Sequence, residues 1–212
     1  MRVLIIGASR GLGFELVHHA LEQNHHVTAF ARTPDSLEVR HDRLTIVKGD
    51  VLDSNSVQQV MENQEAVFTC VGTKFTFSPV TLFSEGMKNV LAAMNAKGVK
   101  RLVAITGIGA GDSRGHGGFL FDRLFQPTLV KTIYEDKDRE EELIKESTVD
   151  WTIVRPGMLT KDELKGNYQV FTDLTGVTAG YISRYEVSDF MLAQLTSTDY
   201  LKKTPLICRL AT

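Results

Sequence analysis

The sequence has few cysteines and no long apolar run, and each scarcity excludes a class of protein. Its two cysteines, Cys70 and Cys208, lie inside the hydrophobic stretches VFTCVG and PLICRL, so they are predicted to be buried strand thiols rather than a disulfide or metal framework. No apolar stretch is long enough to span a bilayer. The chain opens directly on the hydrophobic run from Met1 to Ile6, which leaves no room for a signal peptide. We therefore expect a protein of the reducing cytoplasm.

Neither sign of charge is in excess. With 24 Lys and Arg against 26 Asp and Glu, the formal net charge is -2, which gives no electrostatic footprint for nucleic acid or an anionic membrane. The six histidines are scattered, and neighbours such as His18 and His19 point to different faces, so no metal site is predicted. We expect one domain over residues 1–212, with a small C-terminal substrate-side region, as a monomer or small homo-oligomer.

Short runs rich in Val, Ile and Leu alternate with longer stretches of helical period. The runs are VLIIG, HVTAF, LTIVKG, AVFTCVG, RLVAITG, WTIVRPG and PLICRL. Helices are predicted between them, for example at Leu12–Asn24, Ser54–Met61 and Val80–Ala96, and a polar surface helix is predicted at Lys131–Glu146. This alternation predicts an α/β fold: a single Rossmann-type, doubly wound, mostly parallel sheet with helices on both faces.

A second glycine-rich stretch follows the fifth predicted strand. It is GIGAGDSRGHGG, from Gly107 to Gly118, and its composition predicts a flexible loop. A loop of this kind after a central strand is a candidate lid or substrate-side loop.

The turn after the first strand has the features of a phosphate-binding site. Glycines let the backbone turn tightly, let a pyrophosphate approach main-chain N–H groups, and let the following helix pack against the strand. The position between a strand and a helix makes the motif GASRGLG specific for a dinucleotide. The residues predicted to form this turn are Gly7, Ser9, Arg10, Gly11, Leu12 and Gly13.

The end of the second strand indicates which dinucleotide binds. NAD-specific sites usually hold the ribose hydroxyls with a carboxylate there, whereas this strand ends in Ala31-Arg32-Thr33. The Arg32 guanidinium suits the 2'-phosphate of NADP, and Arg10 lies where it can brace the same group. NADP(H) is therefore the preferred cofactor, with NAD(H) as the alternative. The competing interpretation of Arg10 and Arg32 is that both are solvated surface residues without a role in binding.

These motifs resemble a known family. The chain is similar to the short-chain dehydrogenase/reductases, and within them to the atypical NAD(P)H-binding branch that includes the biliverdin reductase B/flavin reductase and NmrA-like groups. The resemblance covers nearly the whole length and rests on VLIIGASRGLG, SEGMKNVLAAMNAKGVKRLVAITG, EELIKESTVDWTIVRPGML and YISRYEVSDFM. One departure is the glycine spacing: atypical members often read GxxGxxG, whereas this chain has the GxxxGxG of orthodox members.

The resemblance implies where the rest of the cofactor site lies. Asp50-Val51, after the third strand, would border the adenine. Gly72-Thr73, after the fourth, would pass beside the pyrophosphate and the nicotinamide ribose, and Pro156-Gly157 would close over the nicotinamide.

The resemblance also locates the family's acid. In the superfamily a serine polarises a carbonyl, a tyrosine donates the proton, and a lysine four residues later supports the tyrosine and holds the ribose. The ungapped match into WTIVRPG places Lys137 on the lysine position and Ile133 on the tyrosine position, while Thr106 falls at the serine position. Tyr134 precedes Lys137 by three residues, about 60° away on a helix, so we expect it to pack or face solvent. An irregular helix start would let Tyr134 act as the proton donor.

Loss of the acid decides between reaction types. Reduction of a ketone needs a proton donor, whose absence costs a factor of about a hundred to ten thousand. A flavin- or quinone-like acceptor delocalises the charge, so a small, flat acceptor reduced with NADPH is the first hypothesis. The alternative is an NmrA-like sensor that binds the dinucleotide without turnover. A sugar-nucleotide epimerase or dehydratase is disfavoured by the Tyr-Lys spacing and the short C-terminal region.

Overall fold

The computed structural model describes residues 1–34, 37, 39–161 and 166–211. The strands in these ranges are β1 (Arg2–Ile6), β2 (His26–Ala31), β3 (Leu44–Lys48), β4 (Ala66–Thr69), β5 (Arg101–Ile105), β6 (Asp150–Pro156), β7 (Met158–Thr160), β8 (Gln169–Phe171), β9 (Tyr181–Ser183) and β10 (Leu206–Cys208). The helices are α1 (Leu12–Glu22), α2 (Ser54–Val60), α3 (Leu82–Lys97), α4 (Gln126–Thr128), α5 (Lys131–Glu146) and α6 (Arg184–Ala193).

The main sheet is mostly parallel, as predicted. Its strand order is β3-β2-β1-β4-β5-β6-β10-β8, and β8 is antiparallel to β10 while the other neighbours run parallel. The chain runs outward from β1 to β3, returns to β4 on the other side of β1, and continues to β6. β7 and β9 pair as a separate two-stranded sheet. The predicted doubly wound α/β fold is confirmed.

The two faces of the sheet are covered by different helices. Val3 and Ile5 of β1 pack in an apolar cluster with α1 and α6, whereas Leu4 and Ile6 pack in another with α2, α3 and α5. Successive side chains of a strand point to opposite faces, so a strand covered on both sides requires a continuous apolar run. None of the helices in the described ranges is long and apolar enough to cross a bilayer.

The start of α3 is capped by a residue from α5. Thr81, the residue before α3, makes no side-chain hydrogen bond to the helix. Instead the fully buried Asp136 carboxylate accepts from the backbone N–H of Phe83 at 2.8 Å and from the hydroxyl of Ser84 at 2.5 Å. Arg139 pairs with the same carboxylate at 3.0 Å. This contact fixes α3 against α5, whose side chains reach the end of β5.

Replacement of Asp136 by alanine tests this cap. We expect the free energy of unfolding to fall by about 2 kcal/mol, because a helix cap is lost and the Ser84 hydroxyl is left buried without its acceptor. Urea denaturation followed by circular dichroism measures the change. The control is Glu135→Ala, which removes an exposed carboxylate one residue away. Equal losses in the two variants would rule out the capping role.

Candidate functional site

The residues predicted to bind a dinucleotide meet at one edge of the sheet. They follow the carboxyl ends of the parallel strands: Gly7–Gly13 after β1, Arg32 after β2, Asp50-Val51 after β3, Gly72-Thr73 after β4, Thr106 after β5 and Pro156-Gly157 at the end of β6. The chain leaves β1 and β4 in opposite directions, so a crevice opens between the ends of these two neighbouring strands. The fold thus brings residues between Gly7 and Gly157 to the same edge of the sheet.

The glycine turn after β1 has room for an anion. Gly7 has a φ of 86°, and a Cβ there would lie 2.5 Å from the Cys70 carbonyl oxygen, while a Cβ on Gly13 would lie 2.9 Å from the Gly7 carbonyl carbon. These two glycines let α1 approach β1 and β4. Gly11 has a φ of 62°, and a Cβ there would meet no atom within 4 Å. Gly11, the residue before α1, has no side chain with which to cap the helix, and an uncapped helix N-terminus suits a phosphate.

The glycine turn is tied to the end of β2. The Phe30 carbonyl accepts from the N–H groups of Gly7 at 3.0 Å and Ala8 at 3.4 Å, which places the turn beside the strand that leads to Arg32. Arg32 and Arg10 are both exposed. Between the glycines, Ser9 is half-buried and Leu12 is buried in the core.

The segment after β3 forms a compact turn against α3. The Asp50 carboxylate accepts from the backbone N–H of Leu52 at 3.0 Å. Val51 is buried and its carbonyl accepts from the Asn89 amide at 2.9 Å. A Cβ on Gly86 of α3 would lie 3.0 Å from the Val51 side chain. Val51 is therefore held in place by its contacts with α3.

The two remaining predicted segments differ in exposure. Gly72 and Thr73 are exposed, and a Cβ on Gly72 would meet no atom within 4 Å. Pro156-Gly157 is buried: the Pro156 carbonyl accepts from Ile108 N at 3.0 Å, and Gly157 N donates to the Ile207 carbonyl at 3.0 Å. The first segment leaves open space at the crevice, and the second is fixed to β10.

Lys137 reaches the end of β5. Its Nζ donates to the Thr106 main-chain carbonyl and lies 5.0 Å from the centre of the Phe83 ring. Burial lowers the pKa of this ammonium group, while the nearby Glu140 and Glu141 oppose the shift. A lysine from α5 is therefore present at the crevice, in the region that the resemblance implies.

The Thr106 hydroxyl is occupied by a buried carboxylate. Its Oγ1 donates a hydrogen bond to Glu141 Oε1 at 2.8 Å. The Glu141 carboxylate also accepts hydrogen bonds from Arg155, from Nε at 2.9 Å and from Nη2 at 2.5 Å. A hydroxyl has one proton to donate, and this one is already used. The arrangement argues against the expectation that Thr106 polarises a substrate carbonyl.

Tyr134 approaches the crevice although its spacing from Lys137 is three. Ile133, at the family's tyrosine position, is buried against Val80 and Phe83. The Tyr134 ring packs edge-on against Phe121, with 5.9 Å between the ring centres. Its hydroxyl lies 3.4 Å from the point where a Cβ of Gly107 would be. Burial, with a smaller effect of the Asp138 charge, raises the pKa of Tyr134 to about 12.

The predicted lid is only partly an open loop. Residues 107–110 are buried, and a 3-10 turn follows at Gly111–Ser113. Gly111 N donates to Asp138 at 2.7 Å, and Arg155 Nη1 binds Asp112 at 2.5 Å. The expectation of a flexible segment is therefore wrong for this first half, because the half-buried Asp138 of α5 and the buried Arg155 of β6 hold it. Exposed backbone begins at Arg114 and Gly115.

Exposed aromatic side chains flank the start of α5. Phe75 and Phe77, in the loop after β4, expose 79% of their surface, and Phe119 exposes 82%. The first loop is tied to α5 by Thr132, whose hydroxyl donates to the Thr76 carbonyl at 3.3 Å. The other leads into Phe121, which packs on Tyr134.

Sequence reasoning missed the buried carboxylates of α5. The helix is polar on most faces, which predicted a solvated surface element. Asp136, Glu140 and Glu141 are nevertheless buried, at 0%, 3% and 1% exposure. Their spacing of four and one residues places them with Ile133 and Ile144 on the face toward α3 and the sheet, and that periodicity was the available signal.

Comparison with known proteins places this geometry in a family. A family described as NAD(P)H-binding matches residues 7–198. The chain belongs to this NAD(P)H-binding family. An uncharacterized chloroplastic protein of Arabidopsis thaliana is 27% identical over 92% of this chain and 71% of its own length. Matches to several other curated relatives span only 18 to 35% of those proteins.

Solved structures share the fold of the family. ChuY, described as an anaerobillin reductase of Escherichia coli O157:H7, superposes with a TM-score of 0.82 at 19% identity, over 98% of this chain and 97% of that one. A short-chain dehydrogenase/reductase of Veillonella parvula in complex with NADP superposes with a TM-score of 0.81 at 18% identity, over 98% and 94%. These two structures show the same fold, and the family match confirms the predicted NAD(P)H-binding family.

Proposed function

We propose that the protein is an NADPH-dependent reductase that transfers hydride to a small conjugated acceptor such as a flavin or a quinone. The observation that carries this proposal is the open glycine turn at the crevice, with Lys137 at the end of β5 beside it and no activated acid in the family's position. The turn supports binding of the dinucleotide. The missing acid favours an acceptor that delocalises the added charge over a simple ketone.

The crevice residues have distinct roles in the proposed complex. The pyrophosphate lies on the N-terminus of α1, where the open faces of Gly11 and Gly72 leave room for it. Arg32 and Arg10 bind the 2'-phosphate, and the Lys137 ammonium holds the nicotinamide ribose. NADPH supplies the hydride. The rest of the proposed site is formed by Gly7, Ser9, Leu12, Gly13, Asp50, Val51, Thr73, Thr106, Pro156 and Gly157.

The state of Tyr134 supports an acceptor that needs no strong acid. A general acid works best with a pKa near the operating pH. The pKa of Tyr134 is instead raised to about 12, and the Thr106 hydroxyl is bound to Glu141. A ketone would receive its proton poorly here, whereas a flavin or quinone disperses the added charge and takes its proton from solvent. Tyr134 then contributes a flat, half-buried wall.

The exposed rings support a flat acceptor. Phe75, Phe77 and Phe119 border the start of α5, which carries Tyr134 and Lys137. Aromatic faces stack favourably on planar conjugated molecules. The descriptions of ChuY as a reductase and of the Veillonella protein as a complex with NADP agree with this assignment.

Stopped-flow NADPH oxidation against flavins, quinones and simple aldehydes tests the function. We expect flavins or quinones to be reduced and aldehydes to react slowly or not at all. Fast reduction of an aldehyde would show that an acid is present after all. Tight NADPH binding without oxidation by any acceptor would favour the sensor.

Arg32→Asp tests the cofactor preference separately. We expect the Kd for NADPH to rise about tenfold or more, because a charge-assisted bond of about 1.5–3 kcal/mol is replaced by repulsion, while the Kd for NADH stays close to its value. Fluorescence titration of both nucleotides measures the ratio. Lys100→Asp is the matched control. Lys100 is exposed and directly precedes β5, so it lies at the amino end of a strand, away from the carboxyl ends where the cofactor is proposed to bind. Equal losses for NADPH and NADH would refute the role of Arg32.

A further inference from the structure

A helical segment before α5 exposes apolar side chains to solvent. Within residues 119–129, a π-helical turn over Phe121–Phe125 continues directly into α4. The exposed apolar residues from the helical part onward form what we call the apolar face: Leu120, Leu124, Phe125, Pro127 and Leu129. Leu120 exposes 57% of its surface and Leu124 exposes 52%. Clustered exposed apolar side chains of this kind mark an interaction site.

Three of the four polar side chains in this segment are used inside the protein. The buried Gln126 amide donates to the Gly109 carbonyl at 2.6 Å, and the Asp122 carboxylate accepts from a backbone N–H of the preceding loop at 3.2 Å. The Thr128 hydroxyl donates to the Leu124 carbonyl one turn earlier. The outward surface therefore offers few hydrogen-bonding groups, which suits a hydrocarbon environment.

The charges that border the apolar face are mainly basic. Within residues 119–129, all of which the structure describes, Arg123 is exposed and is the one charged side chain without a hydrogen bond or ion pair. Lys131 follows the segment; its side chain is 63% exposed and lies 3.8 Å from Glu135. Lys74 is exposed in the loop after β4, which is tied to the start of α5. The net charge of -2 belongs to the whole chain and does not describe this local excess.

We propose that the apolar face docks on an anionic lipid bilayer, with Arg123, Lys131 and Lys74 at the level of the headgroups. Amphipathic helical segments with Leu and Phe on one side and basic side chains beside them lie at the boundary between headgroups and acyl chains. A second copy of the chain fits this surface less well. In a two-fold dimer the same patch meets itself, so basic charge would face basic charge.

Docking in this way brings the proposed acceptor site to the membrane. Phe121, in the same segment, packs on Tyr134 with 5.9 Å between the ring centres. Gln126 holds the segment to the loop after β5 through the Gly109 carbonyl. A quinone dissolved in the bilayer then has a short path to the crevice. This step rests on the proposed function and narrows its acceptor to a lipid-soluble quinone.

Co-sedimentation of the full chain with lipid vesicles tests the docking without NADPH or an acceptor. Vesicles of phosphatidylcholine alone are compared with vesicles that also contain phosphatidylglycerol. We expect binding to the anionic vesicles to be tighter by about tenfold or more, since each basic side chain near an anionic surface strengthens binding by about fivefold. High salt should reduce this difference, because it screens the attraction.

Two substitutions separate the apolar from the electrostatic contribution. Leu124→Ser should weaken binding to anionic vesicles about tenfold, because a leucine no longer leaves water. Its control is Leu52→Ser, since Leu52 is exposed to a similar extent, 46% against 52%, but follows β3 at the far edge of the sheet. Arg123→Glu should weaken the same binding about tenfold or more. Its control is Lys100→Glu, which reverses an exposed charge before β5.

Equal binding to the two kinds of vesicle, or no binding to either, would overturn the proposal. Equal affinities of Leu124→Ser and Leu52→Ser would also overturn it. So would a dimer that analytical ultracentrifugation detects in the wild type and not in Leu124→Ser, because a second copy would then cover the apolar face. The comparison of vesicles with the wild type decides even if a variant does not fold.

A second arm depends on the proposed function. NADPH oxidation is measured with a long-tailed quinone in anionic vesicles and with a short-chain quinone in water. Leu124→Ser should reduce the long-tailed quinone about tenfold more slowly than the wild type and the short-chain quinone at the same rate. Vesicle binding without reduction of either quinone would refute the quinone acceptor and leave the docking standing.

Discussion

Replacing Arg155 by leucine lowers the free energy of unfolding by about 3–5 kcal/mol, the expected cost of removing one partner of a buried ion pair. Arg155 is fully buried and binds Glu141 through two nitrogens, at 2.9 and 2.5 Å. Without the guanidinium, the Glu141 carboxylate stays buried, with Thr106 and Lys145 as its remaining partners among the described residues. Urea denaturation followed by fluorescence of Trp151, the single tryptophan, measures the loss.

The control for this variant is Arg114→Leu. Arg114 also pairs with a carboxylate of α5, Asp138, at 2.5 Å, but its side chain is 57% exposed. Exposed pairs contribute about 0–1 kcal/mol, so the control should lose little. The double variant Arg155→Leu/Glu141→Leu should recover much of the stability, because no buried charge is left alone. A loss below about 1 kcal/mol in Arg155→Leu would contradict the assignment.

The Arg155–Glu141 pair has a consequence for the site. Through these two residues, β6 and α5 hold Thr106 at the end of β5 and Asp112 in the following turn. In the same turn, the backbone N–H of Gly111 donates a hydrogen bond to the Asp138 carboxylate of α5. The glycine-rich segment can therefore begin as a fixed wall of the crevice and open only beyond Arg114, despite a composition that allows free movement.

Much of the fold was predictable because the central strands are covered on both sides. A strand such as β1 or β5 must be apolar at successive positions, and such a run stands out between helical periods. The strands β7, β8 and β9 were not predicted. Each has three residues, and their sequences MLT, QVF and YIS carry no alternation long enough to distinguish them from loops.

The glycine turn was predictable for a similar reason, since Gly7 and Gly11 are fixed by local backbone geometry at positive φ. The environment of the acid site was not. Whether Thr106 faces solvent or Glu141 depends on a residue 35 positions away. Tyr134 reaches Gly107 through packing on Phe121, which a helical wheel does not contain. The periodicity of α5 held a signal, but carboxylates on an otherwise apolar face are more often surface residues, and their burial depends on Arg155 and Ser84.

Replacing Gly11 by alanine should weaken NADPH binding about 10- to 100-fold without unfolding the protein. The added methyl group meets no protein atom within 4 Å, so it projects into the space proposed for the pyrophosphate. Hydrogen bonds to a charged group contribute about 1.5–3 kcal/mol each, and displacing the phosphate from the α1 N–H groups loses them. Positive φ also costs about 1–3 kcal/mol of stability, which has to be separated from the effect on binding.

Gly98→Ala provides that separation. Gly98 has a φ of 70°, and a Cβ there also meets no atom within 4 Å, but it ends α3 before β5, away from the crevice. We expect this variant to lose stability through the same kind of backbone strain and to keep its NADPH affinity. Isothermal titration calorimetry of both variants, at a temperature where each is folded, compares the two affinities. Equal NADPH affinities in Gly11→Ala and Gly98→Ala would show that no phosphate lies on the N-terminus of α1, because the methyl group at Gly11 would then have displaced nothing.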